Sequence, residues 1–123
     1  MLPSIELFKA HIIEHDPPRI GFTELVVAET QNYVGKLLTY EAGFIGPLQY
    51  HLVRDETSFI YDGTGIFEYW DADNKLCSVA VSKGISVHIP PGAVHRFIAK
   101  TQCLVFEASA PPMPGDRVNV EHE

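Results

Sequence analysis

Residues 46–56 read Gly46-Pro-Leu-Gln49-Tyr-His51-Leu-Val-Arg-Asp-Glu56. If Leu48–Val53 forms a strand, Gln49 and His51 point to the same face, because side chains alternate along a strand. Glu56 reaches that face only if the chain turns near Arg54-Asp55, so that Glu56 opens the next strand. One amide oxygen, one imidazole and one carboxylate then converge from two adjacent strands.

A second segment carries another histidine in a similar setting. Residues 84–95 read Gly84-Ile-Ser-Val-His-Ile-Pro90-Pro91-Gly92-Ala-Val-His95, in which Pro-Pro-Gly predicts a rigid turn and His95 falls on the strand beyond it. A barrel would bring this strand beside the first segment and supply a fourth ligand. Two imidazoles, a carboxylate and an amide oxygen suit Zn²⁺, Mn²⁺, Fe²⁺, Co²⁺ or Ni²⁺. The alternative is that these are ordinary strand polars and a turn histidine.

Short β-rich runs separated by Gly, Pro, Asp or Asn fill the chain from residue 20 onward. Many evenly spaced short strands, with no helical period between them, favour a sandwich or barrel. We expect an N-terminal arm at 1–19 (a helix or an edge strand), a barrel at 20–110 and a partly ordered C-terminal tail at 111–123. The predicted strands are Phe22–Glu29, Tyr33–Glu41, Leu48–Val53, Glu56–Tyr61, Gly65–Trp70, Leu76–Ser82, Ser86–Ile89, Ala93–Ala99 and Gln102–Ala108.

Composition indicates one soluble domain. The chain has 123 residues, and its 9 Lys+Arg against 16 Asp+Glu give a net charge of −7. No basic run or long apolar stretch is present, so neither nucleic acid nor a membrane is an expected partner. The N-terminus does not read as a signal peptide, and Cys77 and Cys103 form no C-x-x-C pair. We therefore expect a cytoplasmic protein with two reduced thiols.

The two segments together resemble the paired motifs of the cupin superfamily. His51, Glu56 and Gly63 fit the first motif, and Gly84 through Pro90-Pro91-Gly92 to His95 fits the second. In the family pattern a histidine stands where this chain has Gln49, and an asparagine where it has Ala99. The resemblance implies an all-β fold, a single cupin jelly-roll barrel, holding one divalent metal ion through Gln49, His51, Glu56 and His95.

The run Leu-Gln-x-His-x-x-Arg-x-Glu, from Leu48 to Glu56, is similar to that of phosphomannose isomerases and their single-domain cupin relatives. In that group a glutamine is a zinc ligand, so the resemblance favours zinc over Mn, Fe, Ni or Co. It implies a metal-dependent isomerase or epimerase of a small sugar or sugar-phosphate-like hydroxycarbonyl compound, and commonly a homodimer. It offers Lys36 and Glu107 as acid/base candidates, and leaves the roles of His88 and Arg117 open.

Two other functions stay open. One is a cupin dioxygenase using Fe or Ni, although such enzymes usually have histidine in place of Gln49. The other is a non-catalytic cupin that binds a small ligand. Its apolar pocket would be lined by aromatic side chains that could equally pack the core: Tyr50, Phe59, Tyr61, Phe67, Tyr69, Trp70 and Phe97.

Overall fold

The computed structural model describes residues 3–120; residues 1–2 and 121–123, at the ends of the predicted arm and tail, lie outside the described residues. All regular structure in this range is β-strand, so the described chain has no helix that could cross a membrane. The strands are β1 (His11–Ile12), β2 (Phe22–Glu29), β3 (Val34–Tyr40), β4 (Gln49–His51), β5 (Glu56–Asp62), β6 (Thr64–Trp70), β7 (Leu76–Ser82), β8 (Ser86–Ile89), β9 (His95–Ala99), β10 (Cys103–Ser109) and β11 (Arg117–Asn119).

The strands form two antiparallel sheets with crossing connections. One sheet has the order β1-β2-β3-β10-β5-β8 and the other β11-β4-β9-β6-β7. Each predicted strand corresponds to one of β2–β10, with ends that differ by two residues at most. The predicted all-β jelly roll is confirmed.

Apolar side chains from both sheets meet between them to form the core. Leu38 and Ile60 come from the first sheet, and Phe67 and Val81 from the second; all four are buried. Gly63 lies at the β5–β6 turn with φ of +98°, and a Cβ there would stand 2.3 Å from the carbonyl oxygen of Gln102. Only glycine satisfies both constraints.

The N-terminal arm has little regular structure and is largely exposed. Residues 3–10 form an extended apolar arm in which Ile5 is 97% and Leu7 is 99% exposed. The helical alternative for the arm is therefore wrong, and the edge strand is limited to β1, which pairs with β2.

Within the C-terminal tail, regular structure is confined to the short strand β11. β11 completes the second sheet by pairing with β4. Asp116, just before it, is buried and accepts a hydrogen bond from the backbone N–H of Val53 at 2.7 Å. The backbone groups at the edge of β4 need hydrogen-bond partners, and β11 supplies them. This pairing holds β11 in place although the segment around it is rich in proline and charge.

Candidate functional site

A cavity of about 280 Å³ lies between the two sheets, and all four predicted metal ligands line it. Gln49 and His95 are directly opposite one another on β4 and β9, so their side chains share a face. Glu56 is the first residue of β5, as the predicted turn requires. The structure thus brings together donors that are separated by 46 positions of sequence.

His51 and Glu56 are in direct contact. His51 Nε2 lies 3.0 Å from Glu56 Oε1, and both side chains are almost fully buried. The ring centroids of His51 and His95 are 6.5 Å apart. Among residues 3–120, no three His, Cys, Asp or Glu side chains lie close enough together to hold a metal ion in this conformation.

Three observations show that these side chains suit a divalent ion. Gln49 Oε1 is buried without a hydrogen-bond donor, so a cation would satisfy it. His95 Nδ1 donates to the carbonyl oxygen of Ala93 at 2.8 Å, which leaves Nε2 without a proton. Asp116 Oδ2 lies 3.3 Å from His51 Nδ1, on the side of the ring opposite the Nε2 atom that contacts Glu56, although the two atoms are not aligned as a hydrogen bond. Carbonyl and carboxylate groups behind the ring are typical of metal-binding histidines.

The protonation states also suit metal binding. Burial raises the pKa of Glu56, but the hydrogen bond from His51 and the charge of Arg54 outweigh it and bring the pKa to about 2. Burial lowers the pKa of His95. At neutral pH the site therefore offers an ionised carboxylate and a neutral imidazole, the forms that coordinate metal.

Glu107 is a second buried carboxyl group in the same cavity. Arg54 Nη2 donates to Glu107 Oε1 at 2.8 Å and lies 3.6 Å from Glu56 Oε2, so one guanidinium joins the two carboxyl groups. Burial and the negative charge of Glu56 raise the pKa of Glu107 to about 7. A carboxyl group with such a pKa can give or take a proton near neutral pH.

Lys36, the other predicted acid/base residue, also lines the cavity. It is the cross-strand partner of Glu107, but its Nζ donates to Glu24 Oε2 at 3.1 Å. Glu24 Oε1 also lies 2.7 Å from His15 Nε2. Lys36 is therefore part of a polar group next to the predicted metal donors.

Several cavity residues were not anticipated. Glu24 could have been found from the sequence. In the alternating pattern of β2 it lies between Phe22 and Val26 on the face that points inward, where a carboxylate is unusual. Nothing in the sequence pointed to His15, which comes from the arm. Tyr40 also lines the cavity, and burial raises the pKa of its phenol.

Some sequence candidates lie elsewhere. The His88 side chain is 62% exposed and contacts Asp55 at 2.7 Å, outside the cavity. Of the seven aromatic residues proposed for an apolar pocket, only Phe67 and Phe97 line the cavity. Charged side chains and aromatic rings both line the cavity, so its wall is of mixed character.

Comparison with known proteins identifies the fold. The chain has TM-scores of 0.70 to an RmlC-like cupin from Shewanella frigidimarina (15% identity, 86% of this chain and 87% of that one) and 0.69 to KdgF from a Halomonas species (19% identity, 77% and 84%). The fold and the placement of the inward histidines define a double-stranded β-helix protein. The chain has the cupin fold.

Sequence comparison finds more restricted similarities. A 63-residue stretch is 36% identical to acireductone dioxygenase from Gallus gallus, covering 50% of this chain and 35% of the relative. A 67-residue stretch is 36% identical to a probable inactive acireductone dioxygenase 2 from Sorghum bicolor, covering 54% and 37%. The matches thus span about a third of the length of these curated relatives. No family model matches the chain.

Proposed function

We propose that this protein is a metal-dependent isomerase or epimerase of a small hydroxycarbonyl compound. The observation that carries the proposal is the position of Glu107, a buried carboxyl group that lines the same cavity as the four candidate metal donors and is held by Arg54 at 2.8 Å. Gln49, His51, Glu56 and His95 would hold one divalent ion, with zinc as the favoured metal. When bound, the metal would supply a Lewis acid that polarises the substrate carbonyl.

The chain's own residues would handle the proton. Isomerisation of a hydroxycarbonyl compound moves a proton from the carbon next to the carbonyl. Glu107 is suited to accept or return it, because this carboxyl group lines the cavity beside the candidate metal donors and Arg54 fixes its position at 2.8 Å. Lys36 and Tyr40 can orient substrate hydroxyl groups on the adjacent wall. The 280 Å³ cavity, with charged side chains on its wall, suits a molecule of a few carbon atoms with several oxygens.

Proton exchange with solvent tests this proposal. The zinc-loaded protein would be incubated in D₂O with a panel of small hydroxyaldehydes and hydroxyketones and their phosphates, and NMR would follow the α-proton. We expect exchange in at least one compound, and its loss in Glu107→Gln. Glu29→Gln, at an exposed position at the end of β2, is the matched control and should exchange at the normal rate. Absence of exchange from the whole panel would contradict the proposal.

A dioxygenase is the second candidate, favoured by the similarity to acireductone dioxygenase. The same four residues would then hold iron or nickel. Oxygen uptake by an iron-loaded preparation with an enediol substrate, together with no α-proton exchange by the zinc form, would favour this function over isomerisation. A protein with neither activity would be a binding module.

A further inference from the structure

Part of the cavity wall is built from aromatic side chains. Four rings, from both sheets and from the connection between β3 and β4, line it and form what we call the aromatic cluster: Phe22, Tyr40, Phe44 and Phe97. The ring centroids are 5.0 Å apart for Phe22 and Tyr40, 5.5 Å for Phe22 and Phe44, and 4.9 Å for Tyr40 and Phe97. These separations are those of favourable contacts between rings.

The strand register separates the aromatic cluster from the charged part of the cavity. Phe22 and Tyr40 are directly opposite one another on β2 and β3, and Lys36 and Glu107 are directly opposite one another on β3 and β10. Tyr40 and Lys36 are four residues apart on β3, which is about 13 Å along the strand. The inner face of the first sheet therefore changes from aromatic to charged along the length of its strands.

The second sheet connects the aromatic cluster to the candidate metal donors. Phe97 comes two residues after His95 on β9, so the two side chains lie on one face, about 7 Å apart along the strand. The ring of His95 also stacks on Phe67, with the centroids 5.6 Å apart. A compound with one end at the candidate metal donors can therefore place its other end against the aromatic cluster.

The aromatic cluster is less enclosed than the apolar core beside it. Leu38, Ile60 and Phe67 are buried, whereas all four members of the cluster are only half-buried. All four line the cavity, so part of the surface that they leave open faces it. An apolar group of a ligand placed there would remove this surface from water, which is favourable.

The cavity has room for a ring beside a polar group. Its volume is about 280 Å³, and an apolar cavity of roughly 150 Å³ is enough to hold benzene. The remaining space can hold a short hydroxycarbonyl chain. Offset and edge-to-face contacts between rings contribute more than the burial of the same area, so the aromatic cluster favours an aromatic group over an aliphatic one of similar size.

We propose that the aromatic cluster binds an aromatic ring carried by the compound that occupies the cavity. The identity of that compound as a hydroxycarbonyl substrate rests on the function proposed above. The proposal narrows the substrate class to aryl-substituted hydroxycarbonyl compounds, with the ring at Phe22 and Phe97 and the reacting carbons towards His95 and Glu107.

Binding of a ring can be measured without any activity. The full-length protein would be stripped of metal with a chelator, dialysed, and titrated against 4-fluorobenzyl alcohol, a neutral probe without a carbonyl group, with binding followed by fluorine NMR. We expect saturable binding, and nuclear Overhauser effects from the ring protons of the probe to the ring protons of the aromatic cluster. Cyclohexylmethanol, which has no aromatic ring, should compete with the probe about threefold or more less well than benzyl alcohol.

Variants that lose one ring locate the binding site. Phe22→Leu and Phe97→Leu keep an apolar side chain and should each weaken binding of the probe about threefold or more, the loss expected for one contact between rings. Phe106→Leu is the matched control, since it makes the same change on the outer face of β10, outside the cavity. It should change binding less than about twofold. Thermal unfolding would confirm that the three variants are folded.

Several results would overturn the proposal. These are the absence of saturable binding, normal binding in both Phe22→Leu and Phe97→Leu, or equal weakening in Phe106→Leu. Overhauser effects to side chains outside the aromatic cluster would also overturn it, and they are measured on the wild type, so they do not depend on the folding of any variant. Equal competition by cyclohexylmethanol would overturn the aromatic class of ligand. Because no metal is present and the probe has no carbonyl group, these results are independent of the α-proton exchange test.

Discussion

Replacing Glu107 with glutamine should make the stability of the metal-free protein less sensitive to pH. The pKa of Glu107 is raised from 4.5 to about 7. Between these values the unfolded chain has released this proton and the folded chain still holds it, so the free energy of unfolding falls as pH rises. A shift of about 2.5 pH units corresponds to about 3 kcal/mol. Glutamine keeps the shape and cannot ionise, so the variant should lack this loss.

Urea unfolding at several pH values from 4.5 to 8, in the presence of a chelator, measures the effect. The variant should gain about 3 kcal/mol relative to the wild type across this range. His95 acts in the opposite direction, because its lowered pKa makes stability rise with pH towards 6.5, but both proteins contain it. Glu56 titrates near pH 2, below the range. Glu29→Gln should follow the wild-type curve. Parallel curves for the wild type and Glu107→Gln would refute the raised pKa.

Three further predictions concern the metal, the turn after β5 and the assembly. Elemental analysis should find no stoichiometric metal in His51→Ala. Gln49→His should bind the metal more tightly, because imidazole is the better donor to these ions. Unchanged metal content in His51→Ala would exclude the proposed site. Gly63→Ala should lower the free energy of unfolding by more than about 2 kcal/mol, because the new Cβ would meet the carbonyl oxygen of Gln102. Gly43→Ala, at a position of similar φ with open space around it, should cost about 1 kcal/mol. Equal losses in the two variants would contradict this account. Light scattering should give the mass of a homodimer, because the apolar arm of residues 3–10 is exposed in the single chain; a monomeric mass at micromolar concentration would count against it.

The fold could be predicted because its signals are local. Alternating side chains and turn residues identified β2–β10, and the period of two along β4 correctly placed Gln49 and His51 together. The turn between His51 and Glu56 followed from the requirement that Glu56 begin a strand. These inferences needed only neighbouring residues, together with a motif of fixed spacing.

The rest of the site depends on contacts between distant segments. Asp116 reaches His51 only because β11 pairs with β4, and a three-residue strand in a proline-rich segment has too weak a pattern to predict. His15 likewise reaches Glu24 through the pairing of β1 with β2, and β1 has only two residues. The raised pKa of Glu107 depends on burial and on the packing of two carboxyl groups, which no single segment determines.

Both ends of the described chain therefore belong to the cavity. A shortened protein reduced to the barrel at 20–110 would keep Gln49, His51, Glu56 and His95. It would lose the carboxylate behind His51 and, from the cavity wall, His15, Arg19 and Arg117. It would also lose β11, so β4, which carries Gln49 and His51, would lie at the edge of its sheet. Expression tags are best separated from both termini by long flexible linkers, because segments that look dispensable in the sequence line the cavity.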